Sequence, residues 1–209
     1  MKVSRDWISE FLSIQKTSDI ENQLTQLGLE VDSVKKIGKD SIIDIEFTPN
    51  RGDCLSVMGV SRDLAAYRGK KIIFPQCSSF YTSKDNKLFK KISHDICPEY
   101  RYMKVSDLHI NKKTPRFILD RLIKSDITSV NFVVDILNYV MIEIGQPTHA
   151  FDEDKIHGKL SIQFSRTDNT FIGINNKEYV IHKGSPVIID EKNIIHALPG
   201  VMGSKLSSV

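Results

Sequence analysis

Apolar residues in this chain recur at the helical period of about 3.6 in some stretches and at the strand period of about 2 in others, in no steady strand–helix–strand order. That mixture limits the fold more than any other feature. Trp7, Ile8, Phe11 and Leu12 share one helical face behind Ser4, whose hydroxyl suits an N-cap. Ile20, Leu24 and Leu27 form a second stripe, with Thr17, Ser18 and Asp19 offering caps and Gly28 placed for a left-handed C-terminal turn. Residues 29–37 and 41–47 read as strands across the turn Gly38-Lys39-Asp40, which predicts a hairpin. A helix is predicted over 54–67 behind Asp53. Pro115 opens another in its first turn, and a third over 133–144 stops at Gly145-Gln146-Pro147. Residues 100–108, 159–165, 178–182, 186–190 and 194–198 read as strands. The class is therefore α+β. The expected division is a small helix-and-hairpin domain over 1–75 and a mixed α+β domain over 76–209, opened by the polar stretch 76–94.

No apolar run has the length of a bilayer span, and no signal-peptide core precedes Trp7. No membrane partner is expected, and the cytoplasm is the default location. Cys54, Cys77 and Cys97 lie too far apart for a CxxC metal or redox pair and suit free thiols in a reducing compartment. A net charge of +3 neither demands nor excludes a nucleic-acid partner. Lys84, Lys87, Lys90 and Lys91 read as a solvated face in preference to a phosphate contact.

Chemistry concentrates between residues 133 and 157. Asn138, Tyr139, Gln146, His149, Asp152, Glu153, Asp154 and His157 set polar groups beside a strongly apolar helix. The Gly145-Gln146-Pro147-Thr148 turn would present His149 just past that helix. An imidazole there suits a general base or an orienting donor, or it simply bonds a backbone carbonyl; spacing alone favours the second. His149, Glu153 and His157 fall four residues apart with Asp152 nearby, a ligand spacing only on a helix. Pro147 and Gly158 flank the segment, so no metal site is expected. Leu198-Pro199-Gly200-Val201-Met202-Gly203-Ser204 reads either as a loop whose backbone approaches a ligand or as a plain turn. Thr48-Pro49-Asn50-Arg51-Gly52-Asp53-Cys54 reads as structural, with Arg51 pinning the turn to a neighbouring carboxylate or carbonyl.

Several long motifs carry a resemblance. Gln26-Leu27-Gly28-Leu29-Glu30-Val31-Asp32, Glu46-Phe47-Thr48-Pro49-Asn50-Arg51-Gly52-Asp53-Cys54-Leu55-Ser56 and Cys97-Pro98-Glu99-Tyr100 occur in that order. They are followed by Val133-Val134-Asp135, Asn138-Tyr139-Val140-Met141, Gly145-Gln146-Pro147, His149-Ala150-Phe151-Asp152 and Gly200-Val201-Met202-Gly203 with Ser207. Together they resemble the N-terminal part of the bacterial phenylalanyl-tRNA synthetase β subunit family, over nearly the whole chain. The resemblance implies a B3/B4 editing module that hydrolyses tyrosine wrongly attached to the phenylalanine tRNA. It implies His149 and Asn138 as catalytic residues near the ester, and Leu198, Pro199, Gly200, Val201, Met202, Gly203 and Ser204 as substrate contacts. It implies an α-subunit partner and tRNA(Phe), no cofactor in this segment, and ATP with Mg²⁺ for the complete synthetase.

The family's pattern is not met everywhere. Its oligonucleotide-binding domain, normally inserted after the first strand, has no counterpart between Val31 and Asp44. Leu137 stands where a threonine is usual, Ser204 where a second loop glycine is, and Pro199 where an alanine is. The chain ends at Val209, so the module is expected to be truncated before the strand whose glutamate reads the tyrosine hydroxyl. Two further readings compete with a synthetase segment: a free-standing hydrolase of mischarged tRNA, and a non-catalytic module that binds tRNA or a partner.

Overall fold

The computed structural model describes residues 1–13, 19–76, 89–108 and 112–209. They form two compact units, Met1–Ser78 with His109–Thr148 and Ser79–Leu108 with His149–Val209. The sequence placed a single boundary near 75, whereas residues 109–148 group with the N-terminal segment.

In the first unit, β1 (Lys2–Ser4) runs straight into α1 (Arg5–Phe11) because the Ser4 hydroxyl accepts the Trp7 N–H at 3.1 Å. Asp19 caps α2 (Ile20–Gln26) in the same way through Asn22 N–H. The other two proposed caps, Thr17 and Ser18, lie outside the described residues. β2 (Glu30–Ile37) and β3 (Asp40–Glu46) form the expected hairpin, and Gly38 at φ 62° supplies the positive φ that a two-residue turn needs. β1 joins the far edge of β3, giving an antiparallel sheet of order β1-β3-β2. A three-residue strand is too short to show a period, so β1 is not legible in the sequence.

The next helix starts later than predicted. Gly52–Cys54 make a 3₁₀ turn, and α3 (Val57–Tyr67) is capped by Ser56, whose hydroxyl accepts Gly59 N–H at 2.9 Å. Asp53 does not cap it, because its carboxylate is taken by Arg51. α4 (Arg116–Lys124) follows Pro115, which is the N-cap and not the first helical residue. α5 (Phe132–Ile144) opens on Asn131, whose side-chain oxygen accepts Val133 and Val134 N–H, and closes on Gly145 in the left-handed region at φ 78°. Trp7, Ile8, Leu24, Ile43, Val60 and Leu64 fill the core. α4 packs on β1 and α5, and α5 packs on α3, which is why 109–148 belongs to this unit.

The second unit is a five-stranded sheet of order β10-β9-β8-β5-β4. Its strands are β4 (Phe89–Ile92), β5 (Leu160–Phe164), β8 (Pro186–Ile189), β9 (Ile195–Leu198) and β10 (Met202–Gly203). β6 (Asn169–Ile172) and β7 (Glu178–Ile181) make a separate hairpin. β4 pairs parallel to β5, and the other pairs are antiparallel. Leu160, Ile162, Ile188 and Ala197 form one core cluster; Phe171, Ile181, Val187, Ile189 and Ile195 form another.

The strand predicted over 100–108 is absent: this segment joins no ladder. Its apolar alternation has another cause, because Tyr100 and Tyr102 set their rings against Phe89 at centroid distances of 4.7 and 5.0 Å. Of the lysine cluster, Lys90 is exposed and faces Glu191 at 3.3 Å. Lys84 and Lys87, with Cys77, lie outside the described residues. Among the described residues, no helix is long and apolar enough to cross a membrane.

Candidate functional site

The Gly-rich segment is the β9–β10 hairpin. Val201 N–H donates to Leu198 O at 3.0 Å, with Pro199 at the second position of the turn and Gly200 at φ 72° at the third. Proline presets the first central φ and glycine supplies the positive one, the requirements of a type II turn. Gly203 then pairs with Ala197, and its carbonyl accepts Ile174 N–H at 3.0 Å.

His149 lies against this hairpin. A Cβ added at Gly203 would stand 2.3 Å from His149 Cε1 and 2.8 Å from Nε2, so the ring occupies the space that any side chain at 203 would need. Phe151 meets the same imidazole edge-on at 4.6 Å between centroids. His149 is exposed as a residue, yet crowding on this side lowers its pKa by burial. A depressed pKa leaves the imidazole neutral at neutral pH, with one nitrogen free to accept a proton.

Behind the hairpin stands a group that the sequence reading did not single out. Asp190, just after β8, is fully buried. Its Oδ1 accepts Lys192 and Ile194 N–H, both at 2.9 Å, and its Oδ2 accepts His157 N–H at 3.1 Å. Two imidazoles flank Oδ2, with His157 Nδ1 at 3.0 Å and His196 Nε2 at 3.3 Å. Burial pushes the Asp190 pKa up, but the N–H groups of Ile194 and His157 and the two histidines outweigh it, so the pKa is lowered and Asp190 is ionised. The signal was Asp190 ahead of Glu191-Lys192-Asn193, the pattern of an aspartate bonding its own following turn.

Asn138 belongs to α5 in the first unit. That helix is braced near its start and at its middle. Near its start, buried Asp135 accepts Thr114 Oγ1, Ser129 Oγ and Val130 N–H at 2.6, 2.7 and 2.9 Å. Next to Asn138, Tyr139 stacks on Trp7 at 5.0 Å, and Arg121 lies over the Trp7 ring at 4.8 Å. Arg121 also bonds the Tyr139 hydroxyl and the Glu10 carboxylate.

The spacing weighed for a metal does not assemble. Glu153 is in a single 3₁₀ turn and pairs with Lys104 at 2.6 Å, while His157 turns to Asp190. Asp152 caps that turn by accepting Asp154 N–H. Among the described residues, Asp53, Cys54 and Asp63 do cluster closely enough to hold an ion. Arg51 is already there, bonding both carboxylates and the Cys54 sulfur, so the turn is pinned in the way the sequence suggested. Burial first, and the Asp63 charge second, push the Cys54 thiol up to about 12. In the native chain Cys54 is therefore expected to alkylate at least ~100-fold more slowly than after unfolding, because the thiolate is the reactive form. Iodoacetamide labelling at pH 8, followed by peptide mass mapping, reads this directly.

One hollow of the second unit, about 760 Å³, is walled by Phe171, Ile172, Ile195, Leu206, Lys155 and Ser204, among others. Of the expected substrate contacts it includes Ser204 and none of residues 198–203.

The chain belongs to the B3/4 domain family, which residues 96–209 match. It is similar to the phenylalanine–tRNA ligase beta subunit of Ehrlichia canis, 37% identical over 169 residues that make up 81% of this chain and 21% of that protein. It is similar also to that of Psychrobacter arcticus, 32% identical over 203 residues, 94% of this chain and 25% of that protein. The chain thus spans about a quarter or less of these relatives. Its fold is shared with an N-terminal fragment of the phenylalanyl-tRNA synthetase beta subunit from Pyrococcus horikoshii. That match has a TM-score of 0.50 at 14% identity, covering 100% of this chain and 63% of the other.

Proposed function

We propose that this chain serves as part of the β subunit of a phenylalanine–tRNA ligase, supporting aminoacylation of tRNA(Phe) and removing tyrosine wrongly attached to it. The observation that carries this reading is the His149 imidazole, kept neutral and laid on the backbone of Gly203. In the reaction, water oxygen bonds to the ester carbonyl carbon, the bond to the ribose oxygen breaks, and one proton passes from the water to the ribose. A neutral imidazole suits either holding that water or orienting the terminal ribose. The family resemblance assigns Asn138 as the second polar group for the ester and Leu198 to Ser204 as the contacts to the amino acid. A second site is needed because an apolar pocket rejects an added hydroxyl only weakly. The α subunit, tRNA(Phe), and ATP with Mg²⁺ for activation are the partners this role requires, and the cytoplasm is its place.

The test is the loss of labelled tyrosine from tyrosyl-tRNA(Phe) incubated with the purified chain. Hydrolysis above the buffer rate is expected, with His149→Ala removing roughly 100-fold of the acceleration. Ester that decays at the buffer rate with wild-type chain would defeat the hydrolytic reading and leave a module that only binds.

A further inference from the structure

His196 is an odd residue to find where it is. It lies inside β9 and is fully buried, and neither ring nitrogen has a hydrogen-bond partner among the described residues. A buried polar group without a partner destabilises the fold, so an apolar residue would serve the strand better unless the imidazole does something else. One group in reach explains it. The Asp190 carboxylate is 3.3 Å from Nε2, within ion-pair distance but not aligned as a hydrogen bond. Asp190 itself is held by three backbone N–H groups.

Phe151 links His196 to the candidate site. It stands perpendicular to the His196 ring at 6.4 Å between centroids, and the same Phe151 ring meets His149 at 4.6 Å. The His196 carbonyl accepts Ser204 N–H at 2.8 Å, which ties down the strand carrying Gly203. A fixed carboxylate, a buried imidazole, an aromatic ring and the His149 imidazole thus form a continuous packed series ending on Gly203.

We infer that His196 is a positioning residue: held by Asp190, it fixes both Phe151 and the β9–β10 hairpin, and so sets where His149 lies on Gly203. Its catalytic meaning rests on the hydrolytic reading above, while its structural meaning does not. The charge of Asp190 draws a proton to Nε2, and the ring then stands in one tautomer and one orientation. This is an indirect role, since His196 touches neither water nor ester.

The measurement is histidine NMR on the full chain with ¹³C- and ¹⁵N-labelled histidine, the His149 signal being assigned from the H149Q spectrum. In wild type, His196 Nε2 should carry a proton; a bare Nε2 would overturn the inference outright. In His196→Leu, which preserves bulk and removes the pull on Asp190, the His149 midpoint should rise by about half a pH unit or more as its packing loosens. In His196→Gln, which keeps an N–H for Asp190, that midpoint should stay near the wild-type value. A residue that only filled space would give the reverse order, with Leu tolerated and Gln disruptive, and that result would sink the proposal. If the Leu variant does not fold, the wild-type proton on Nε2 and the Gln midpoint still decide. If wild type shows no hydrolysis, the editing reading fails while the His149 midpoints still test positioning. If hydrolysis is present, it should fall severalfold in His196→Leu and largely survive in His196→Gln.

Discussion

Gly203→Ala should displace His149 and, under the proposed hydrolytic role, reduce tyrosyl-tRNA(Phe) hydrolysis about 100-fold with only a small loss of stability. The added Cβ would meet His149 Cε1 at 2.3 Å, closer than two carbons can stand. The obstacle is the end of a side chain and not backbone, so the ring swings aside and the hairpin survives. A displacement of about 1 Å is enough to cost roughly 10² in rate when the reacting geometry is tight. Two measurements separate this from simple unfolding. The melt should move by no more than a few degrees, about 1 kcal/mol at most. The His149 midpoint should rise, because a ring pushed off Gly203 regains water and with it the charged form. A variant that keeps wild-type hydrolysis and an unmoved His149 would mean that the approach of ring to backbone has no functional weight.

Much of this site could be read from residue order. Gly145 after an apolar helical stripe marks the end of α5, and His149 follows as a loop residue, as its spacing from Pro147 suggested. Pro199-Gly200 marks a turn of stated type. What spacing does not reveal is which partner a glycine accommodates. The Gly203 segment reads either as backbone approaching a ligand or as a plain turn; in the fold, the room Gly203 leaves is filled by His149. Asp190 and His196 went unnoticed for a related reason. An aspartate before a turn and a histidine within an apolar strand look ordinary until pairing of β8 with β9 puts them face to face.

The elements show the same division. Helices with caps and a full stripe, α1, α2 and α5, were legible because their signals lie within one or two turns. The start of α3 was misplaced because Asp53 and Ser56 both qualify as caps, and a distant residue, Asp63, recruits Arg51 and with it Asp53. β4 gains its place only by lying parallel to β5, a pairing some seventy residues away in sequence. Residues 100–108 have a strand's composition but no ladder to join, since their rings are used against Phe89.

Asp40→Asn should cost roughly 3 kcal/mol of the first unit's stability, the low end for breaking a buried ion pair. Asp40 looked like a turn residue, yet its side chain is 3% exposed and gathers four donors. They are Ser4 Oγ at 2.6 Å, Asp6 N–H at 3.0 Å, Ser41 N–H at 2.8 Å and Lys124 Nζ at 2.6 Å. This one carboxylate joins β1, α1, the start of β3 and α4. Asparagine keeps one oxygen for the backbone donors but turns an NH₂ toward Ser4 or Lys124, leaving the ammonium, itself only a quarter exposed, without its counter-charge. Burial alone would raise the Asp40 pKa. The bonds from Lys124 and Ser4, and then the Asp6 N–H, more than reverse it, so the folded pKa lies below the ordinary carboxylate value of about 3.9. The sign follows. A carboxylate with a depressed folded pKa stabilises the fold above its unfolded pKa, and that contribution disappears as pH falls through the folded value. The gap between wild type and Asp40→Asn in urea unfolding should therefore be full near pH 7 and close progressively below about pH 4. Asp135 and Asp190 titrate in both proteins and cancel in the difference. Lys124→Met, which leaves Asp40 its three uncharged donors, should be milder. A gap that stays constant from pH 7 to pH 3 would show that shape, and not charge, is what Asp40 contributes.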